Sequence, residues 1–141
     1  MTHITDAQFR ERFIALYFAG QDLPRKPLDR QIVLISALLG LERQHQYSES
    51  ELNGELQKWV IQFGRRYSLD HVTLRRYLID EKYLVRDSAG GAYELAAGEA
   101  TPYTFDATLE HLDLAALIAD AKAARELKKQ QYLQGTGRAG H

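Results

Sequence analysis

Residues 68–86 constrain this chain more than any other stretch. Leu69-Asp70-His71-Val72-Thr73-Leu74-Arg75-Arg76-Tyr77-Leu78-Ile79-Asp80 has the spacing of a capped, two-faced helix. Asp70 is the cap, Leu69 and Leu74 form a hydrophobic staple, and Leu74 and Leu78 lie on one face because positions i and i+4 stack. Thr73, Arg76 and Asp80 fall on the opposite side, with Val72, Arg75 and Ile79 between. A short strand follows at once, ending in Val85-Arg86. The pair Gly90-Gly91, free to take positive φ, allows a tight turn into a second strand at Ala92-Tyr93-Glu94-Leu95.

The segments before this unit read as three further helices. The first runs from a cap at Asp6 to Tyr17 or Phe18, with Phe9, Phe13, Leu16 and Tyr17 as a helical stripe, and Gly20 ends it. A proline-stiffened connector leads to Pro27, which suits a first helical turn because its missing N–H has no partner there anyway. The second helix, from Pro27 to Leu39 or Glu42, is apolar on more than one face and is therefore expected to be covered on most sides. The N-terminal helix, the C-terminal helix or a second subunit could supply that cover. The third helix carries the best local signals: Ser48 and Glu51 form a capping box and Tyr47 and Leu52 a staple. Leu52, Leu56, Trp59 and Val60 give its inward face, and Gly64 to Tyr67 form the turn into the fourth helix.

Beyond the hairpin, residues 96–105 read as a linker. A long alanine-rich helix is expected over residues 106–133, starting at Asp106 or, if the first turn frays, at Asp113. Residues 134–141 read as a disordered tail. The domain organisation is thus an N-terminal helix (1–22), a central domain (23–95), the linker, the C-terminal helix and the tail.

Composition excludes several classes of function. With no cysteine, disulfides, iron–sulfur clusters and thiol-ligated zinc are ruled out. The five histidines are scattered without ligand spacing, so no metal or other cofactor is expected. No basic, apolar leader opens the sequence and no apolar run is long enough for a bilayer, so a cytoplasmic protein without membrane contact is expected. The net charge of −1 argues against a general polyanion binder. Positive charge is nonetheless concentrated between Arg65 and Arg86, where six basic residues face three acidic ones.

A helix exposing arginines beside a small hairpin is the layout of a winged helix-turn-helix, a mainly α fold with a small β-hairpin. The motifs Leu23-Pro24-x-Lys26, Tyr47-Ser48-Glu49-x-Glu51-Leu52-Asn53-x-x-Leu56, Asp70-x-x-Thr73-Leu74-Arg75-Arg76-Tyr77-Leu78-Ile79-Asp80, Tyr83-Leu84-x-Arg86 and Gly91-x-Tyr93 together resemble one bacterial family. That family is catalogued as a domain of unknown function, number twenty eighty-seven in its series. The resemblance implies a winged-helix-like protein of the kind often labelled a transcriptional regulator. It covers residues 23–95 and leaves both terminal helices outside. Lys82 departs from the family pattern, in which this position often carries glycine.

On this reading the chain binds double-stranded DNA. The fourth helix enters a groove with Thr73 and Arg76 near base edges or phosphates and Arg75 clamping a phosphate, since the planar guanidinium fork suits guanine or phosphate. Arg65, Arg66, Lys82 and Arg86 would neutralise phosphates and set register. The competing structural reading pairs one of the adjacent arginines with Glu49, Glu51 or Glu55 on the preceding helix. Tyr67, Tyr77, Tyr83 and Tyr93 could stack single-stranded bases, as in an RNA binder, or serve as amphipathic packing. Catalysis is not expected, because Glu51 is accounted for by the capping box and no nucleophile–base pair accompanies the carboxylates. A homodimer through helix 28–41 or helix 106–133 would supply paired half-sites. The alternative function is a protein–protein adaptor that keeps the scaffold without DNA.

Overall fold

The computed structural model describes residues 2–20, 22–89 and 91–139; for residue 99 and residues 135–139 it describes the backbone alone. The chain is mainly helical with a small antiparallel hairpin. In order, the elements are β1 (Thr2–Ile4), α1 (Asp6–Ala19), α2 (Pro27–Leu38), α3 (Glu49–Gln62), a 3-10 turn (Gly64–Tyr67), α4 (His71–Asp80), β2 (Leu84–Arg86), β3 (Tyr93–Leu95), β4 (Tyr103–Phe105) and α5 (Leu114–Ala139), with short 3-10 turns on either side of β4.

Helix α2 is the centre of the molecule. Every residue from Gln31 to Leu39 is buried, as its apolar character on most faces requires. The cover comes from within the chain. Phe9, Phe13 and Tyr17 of α1, Leu74 and Leu78 of α4, and Leu114 and Ile118 at the start of α5 all belong to the same core. A dimer through residues 28–41, one of the two expected routes, is not supported, because residues 31–39 are already covered within the chain.

Gln31, one of two buried polar residues inside α2, is satisfied by a side-chain network. Gln31 donates to Glu81 Oε1 at 2.6 Å and accepts a hydrogen bond from the Tyr83 hydroxyl. Burial raises the Tyr83 hydroxyl pKa, so it stays a donor. Arg30 adds a guanidinium contact to Glu81 at 3.2 Å. The end of α4 is thereby tied to α2 just before the hairpin starts.

Local signals set the third and fourth helices as expected. Ser48 Oγ accepts from the Glu51 N–H at 3.1 Å while Glu51 Oε1 accepts from the Ser48 N–H at 3.2 Å. Asp70 Oδ1 accepts from the Thr73 N–H at 2.7 Å, and that bond holds the Asp70 carboxyl below its usual range. In α1 the cap is Thr5 and not Asp6: Thr5 Oγ1 accepts from Gln8 N–H at 3.2 Å.

Lys82 lies in the left-handed region at φ 69°. An L side chain there is strained by roughly 1 kcal/mol. Lys82→Gly is expected to stabilise the fold by at most about 0.5 kcal/mol after the extra chain entropy of glycine is deducted. Urea denaturation checks it, and a loss of stability would contradict the assignment of strain.

The region after the hairpin differs from expectation. Residues 96–105 are not a plain linker, because β4 pairs in parallel with β1, with Thr2 opposite Tyr103 and Ile4 opposite Phe105. Asp106 does not start the long helix. Its carboxylate is engaged by His3 Nε2 at 2.6 Å and by the Asp6 N–H at 2.7 Å. Helix α5 begins at Leu114, where Asp113 Oδ1 accepts from the Ala116 N–H at 3.0 Å. Its backbone stays helical to Ala139, past the expected end at Leu133. Of the tail expected to be disordered, residues 140–141 lie outside the described residues, as does Gly90 of the hairpin turn. Gly91 does take positive φ, 71°.

Candidate nucleic-acid interface

Helices α3 and α4 are joined by a tight corner. The 3-10 turn Gly64–Tyr67 runs into Ser68, whose φ of 57° is left-handed, and the Leu69 N–H returns to the Gly64 carbonyl at 3.0 Å. A Cβ on Gly64 would stand 2.9 Å from the Trp59 ring and 3.2 Å from the Leu69 carbonyl, so glycine is what lets the corner close. The hairpin of β2 and β3 follows α4 directly. A third, minimal strand flanks it: Tyr47 and Tyr93 exchange two backbone hydrogen bonds, at 2.7 and 2.8 Å. The order helix, short bridge, helix, turn, helix, hairpin is compatible with a winged helix-turn-helix.

The two adjacent arginines have opposite fates. Arg75 is turned onto α3, where it donates to Asn53 Oδ1 at 2.6 Å and approaches Glu49 Oε1 at 3.3 Å. Its side chain is only 18 % exposed, and its guanidinium stands 5.8 Å from the Tyr93 ring centre. The expected phosphate clamp is thus an interhelical clamp, because α3 presents two oxygen acceptors at the height of Arg75 on α4. Glu49 accordingly does more than favour the helix terminus, and Asn53 is a hydrogen-bond acceptor within the fold. Arg76 is exposed and has no side-chain partner among the described residues.

The other basic residues also divide. Arg65 and Lys82 are exposed and without side-chain partners among the described residues. Arg66 is taken up by the end of α1: it donates to the Tyr17 carbonyl at 3.1 Å and its guanidinium lies 4.1 Å from the Tyr17 ring centre. That is favourable placement for a cation at a helix C-terminus, and it replaces the expected phosphate contact. Arg86 is exposed and shares the Tyr93 ring with Arg75, its guanidinium 5.8 Å from the ring centre. Thr73 is half-exposed in the first turn of α4.

The tyrosines serve packing. Tyr67, Tyr83 and Tyr93 are buried and Tyr77 is half-buried, with the Arg30 guanidinium 4.6 Å from its ring centre. A base-stacking surface built on them is not available, which removes the ground for the single-strand reading. Two apolar side chains lie exposed in the same elements, Val72 in α4 and Val85 in β2. Neither the helix nor the strand buries them, and periodicity alone had not singled them out.

The family model described as "Uncharacterized protein conserved in bacteria (DUF2087)" matches residues 21–95, just over half of the chain. No curated protein and no solved structure matches. Among the described residues no helix is long and apolar enough to cross a membrane.

Proposed function

We propose that this chain, which belongs to the DUF2087 family of uncharacterized bacterial proteins, binds double-stranded DNA with α4 in a groove and the hairpin beside it, as a transcriptional regulator would. The observation that carries the reading is a pair of exposed cations, Arg76 on α4 and Arg86 on the hairpin, neither with an ion-pair partner among the described residues. Residues 21–95 hold eleven basic and eleven acidic residues. Affinity must therefore come from a local patch and not from overall charge. Arg76 and Thr73 would face bases or phosphates, Arg86, Arg65 and Lys82 would contact the backbone, and Arg75 would position α4.

Paired half-sites would supply the rest of the affinity. Helix α5, about 39 Å long by its residue count, is the remaining route to a dimer. Its first turns pack in the core, Lys122 and Arg125 stand over the Tyr17 and Phe18 rings, and Leu127 and Leu133 further along are exposed.

Binding of a random duplex pool across a salt series tests the reading. Affinity should fall steeply with salt, and Arg76→Ala should cost about 1–3 kcal/mol of binding while leaving thermal stability unchanged. Arg75→Ala should behave differently, lowering stability by about 1–2 kcal/mol through the lost Asn53 contact and leaving an unpaired Glu49. Absence of duplex affinity at low salt, or equal binding by the Arg76 variant, would refute the proposal. The exposed Val72 on α4 and Val85 on the hairpin favour one rival, a protein–protein adaptor using these elements.

A further inference from the structure

Between the end of α2 and the segment that follows the hairpin, the chain forms a cavity of about 580 Å³. The end of α2 and the loop after it form one wall, and the segment from Leu95 to His111 forms the other. The volume is that of a small-molecule site. Its floor is aliphatic, with Leu38, Leu39, Leu41 and Leu95, and three aromatic rings, Tyr83, Tyr103 and Phe105, stand around it.

The charges at the mouth give the ligand a sign. Glu42, Glu110 and Arg43 all line the cavity, so carboxylates outnumber guanidinium two to one. The other polar groups on the wall are mostly spoken for. The Tyr83 hydroxyl donates to Gln31, the Thr101 hydroxyl bonds the Gly98 and Tyr103 carbonyls, and Thr104 Oγ1 bonds His3. The Glu42 carboxylate has no partner among the described residues.

Arg43 shows what the mouth recognises. Its Nε lies 2.5 Å from Glu110 Oε1 and its guanidinium 5.7 Å from the Phe105 ring centre. A cation thus already sits between a carboxylate and an aromatic face, the two partners that bind organic cations. The Arg43–Glu110 pair is exposed, and exposed ion pairs are weak. A ligand cation with an apolar body that fills the cavity can displace it at little cost. We infer that this cavity binds a lipophilic organic cation in competition with the protein's own Arg43. The inference does not depend on DNA binding.

Two probes of matched shape and opposite charge test it on the full chain: tetraphenylphosphonium and tetraphenylborate, titrated by calorimetry with amide chemical shifts followed by NMR. The phosphonium should bind at least about tenfold more tightly than the borate, with shift changes at Leu41, Arg43, Phe105 and Glu110. Arg43→Gln should tighten phosphonium binding roughly threefold to tenfold by removing the internal competitor, and Glu110→Gln should weaken it by about tenfold. Gly98→Phe, at a lining position where a Cβ meets nothing within 4 Å, should block binding with the amide spectrum otherwise intact. Preference for the borate, weaker phosphonium binding by the Arg43 variant, or no binding of either probe would overturn the inference. An unfolded Gly98 variant would leave the Arg43 and Glu110 pair to decide.

Discussion

Ile4→Ala is expected to lower the unfolding free energy by about 3 kcal/mol, a large effect for a residue so near the start of a chain. Terminal residues are ordinarily tolerant of change unless something ties them down. Here Ile4 is fully buried in the common core and ends β1, whose backbone pairs with β4 at Phe105. Truncation removes three buried carbon atoms and leaves a cavity under the strand, which places the cost in the range of about 2–5 kcal/mol seen for such changes. The polar fastening should survive, because His3 bonds Thr104 and Asp106 through its ring and the Thr108 hydroxyl bonds Asp6. Equilibrium denaturation in urea measures the effect. A change below about 1 kcal/mol would mean that β1 is not part of the core.

Trp59→Ala should cost more, about 3–5 kcal/mol, a large share of the roughly 5–15 kcal/mol that holds an ordinary domain folded. The indole fills the corner between α3 and α4: it lies stacked on Tyr67 with ring centres 6.3 Å apart, packs on Phe63, and abuts Gly64. Its Nε1–H donates to Ser36 Oγ at 2.9 Å, and Ser36 in turn donates to the Val33 carbonyl. Trp59→Phe keeps most of the volume and removes the indole donor, so it should cost about 1–2 kcal/mol. Near-equal losses for the two variants, read by the same denaturation, would show that the hydrogen bond and not the packing dominates.

The parts of this protein legible without coordinates are those governed by neighbours in sequence. The Ser48–Glu51 box, the Asp70 cap, the Leu52, Leu56, Trp59 and Val60 face, and the Gly91 turn each depend on contacts within a few residues, so spacing alone reveals them.

What no local signal could supply is which of two neighbouring arginines is free. Arg75 and Arg76 are chemically identical and adjacent, yet one step along a helix turns the side chain by about 100°. That step sends Arg75 to Asn53 and Glu49 and leaves Arg76 in solvent. The same holds for the β1–β4 pair: three-residue strands are too short to show alternation, and the two lie 101 residues apart in sequence. Hence the sequence alone determined the third and fourth helices, their Ser48 and Asp70 caps and the hairpin, because those energies are local. Only the tertiary structure decided which cations face outward, what covers α2, and where the cavity lies, because these depend on surfaces that meet only after the chain has closed on itself.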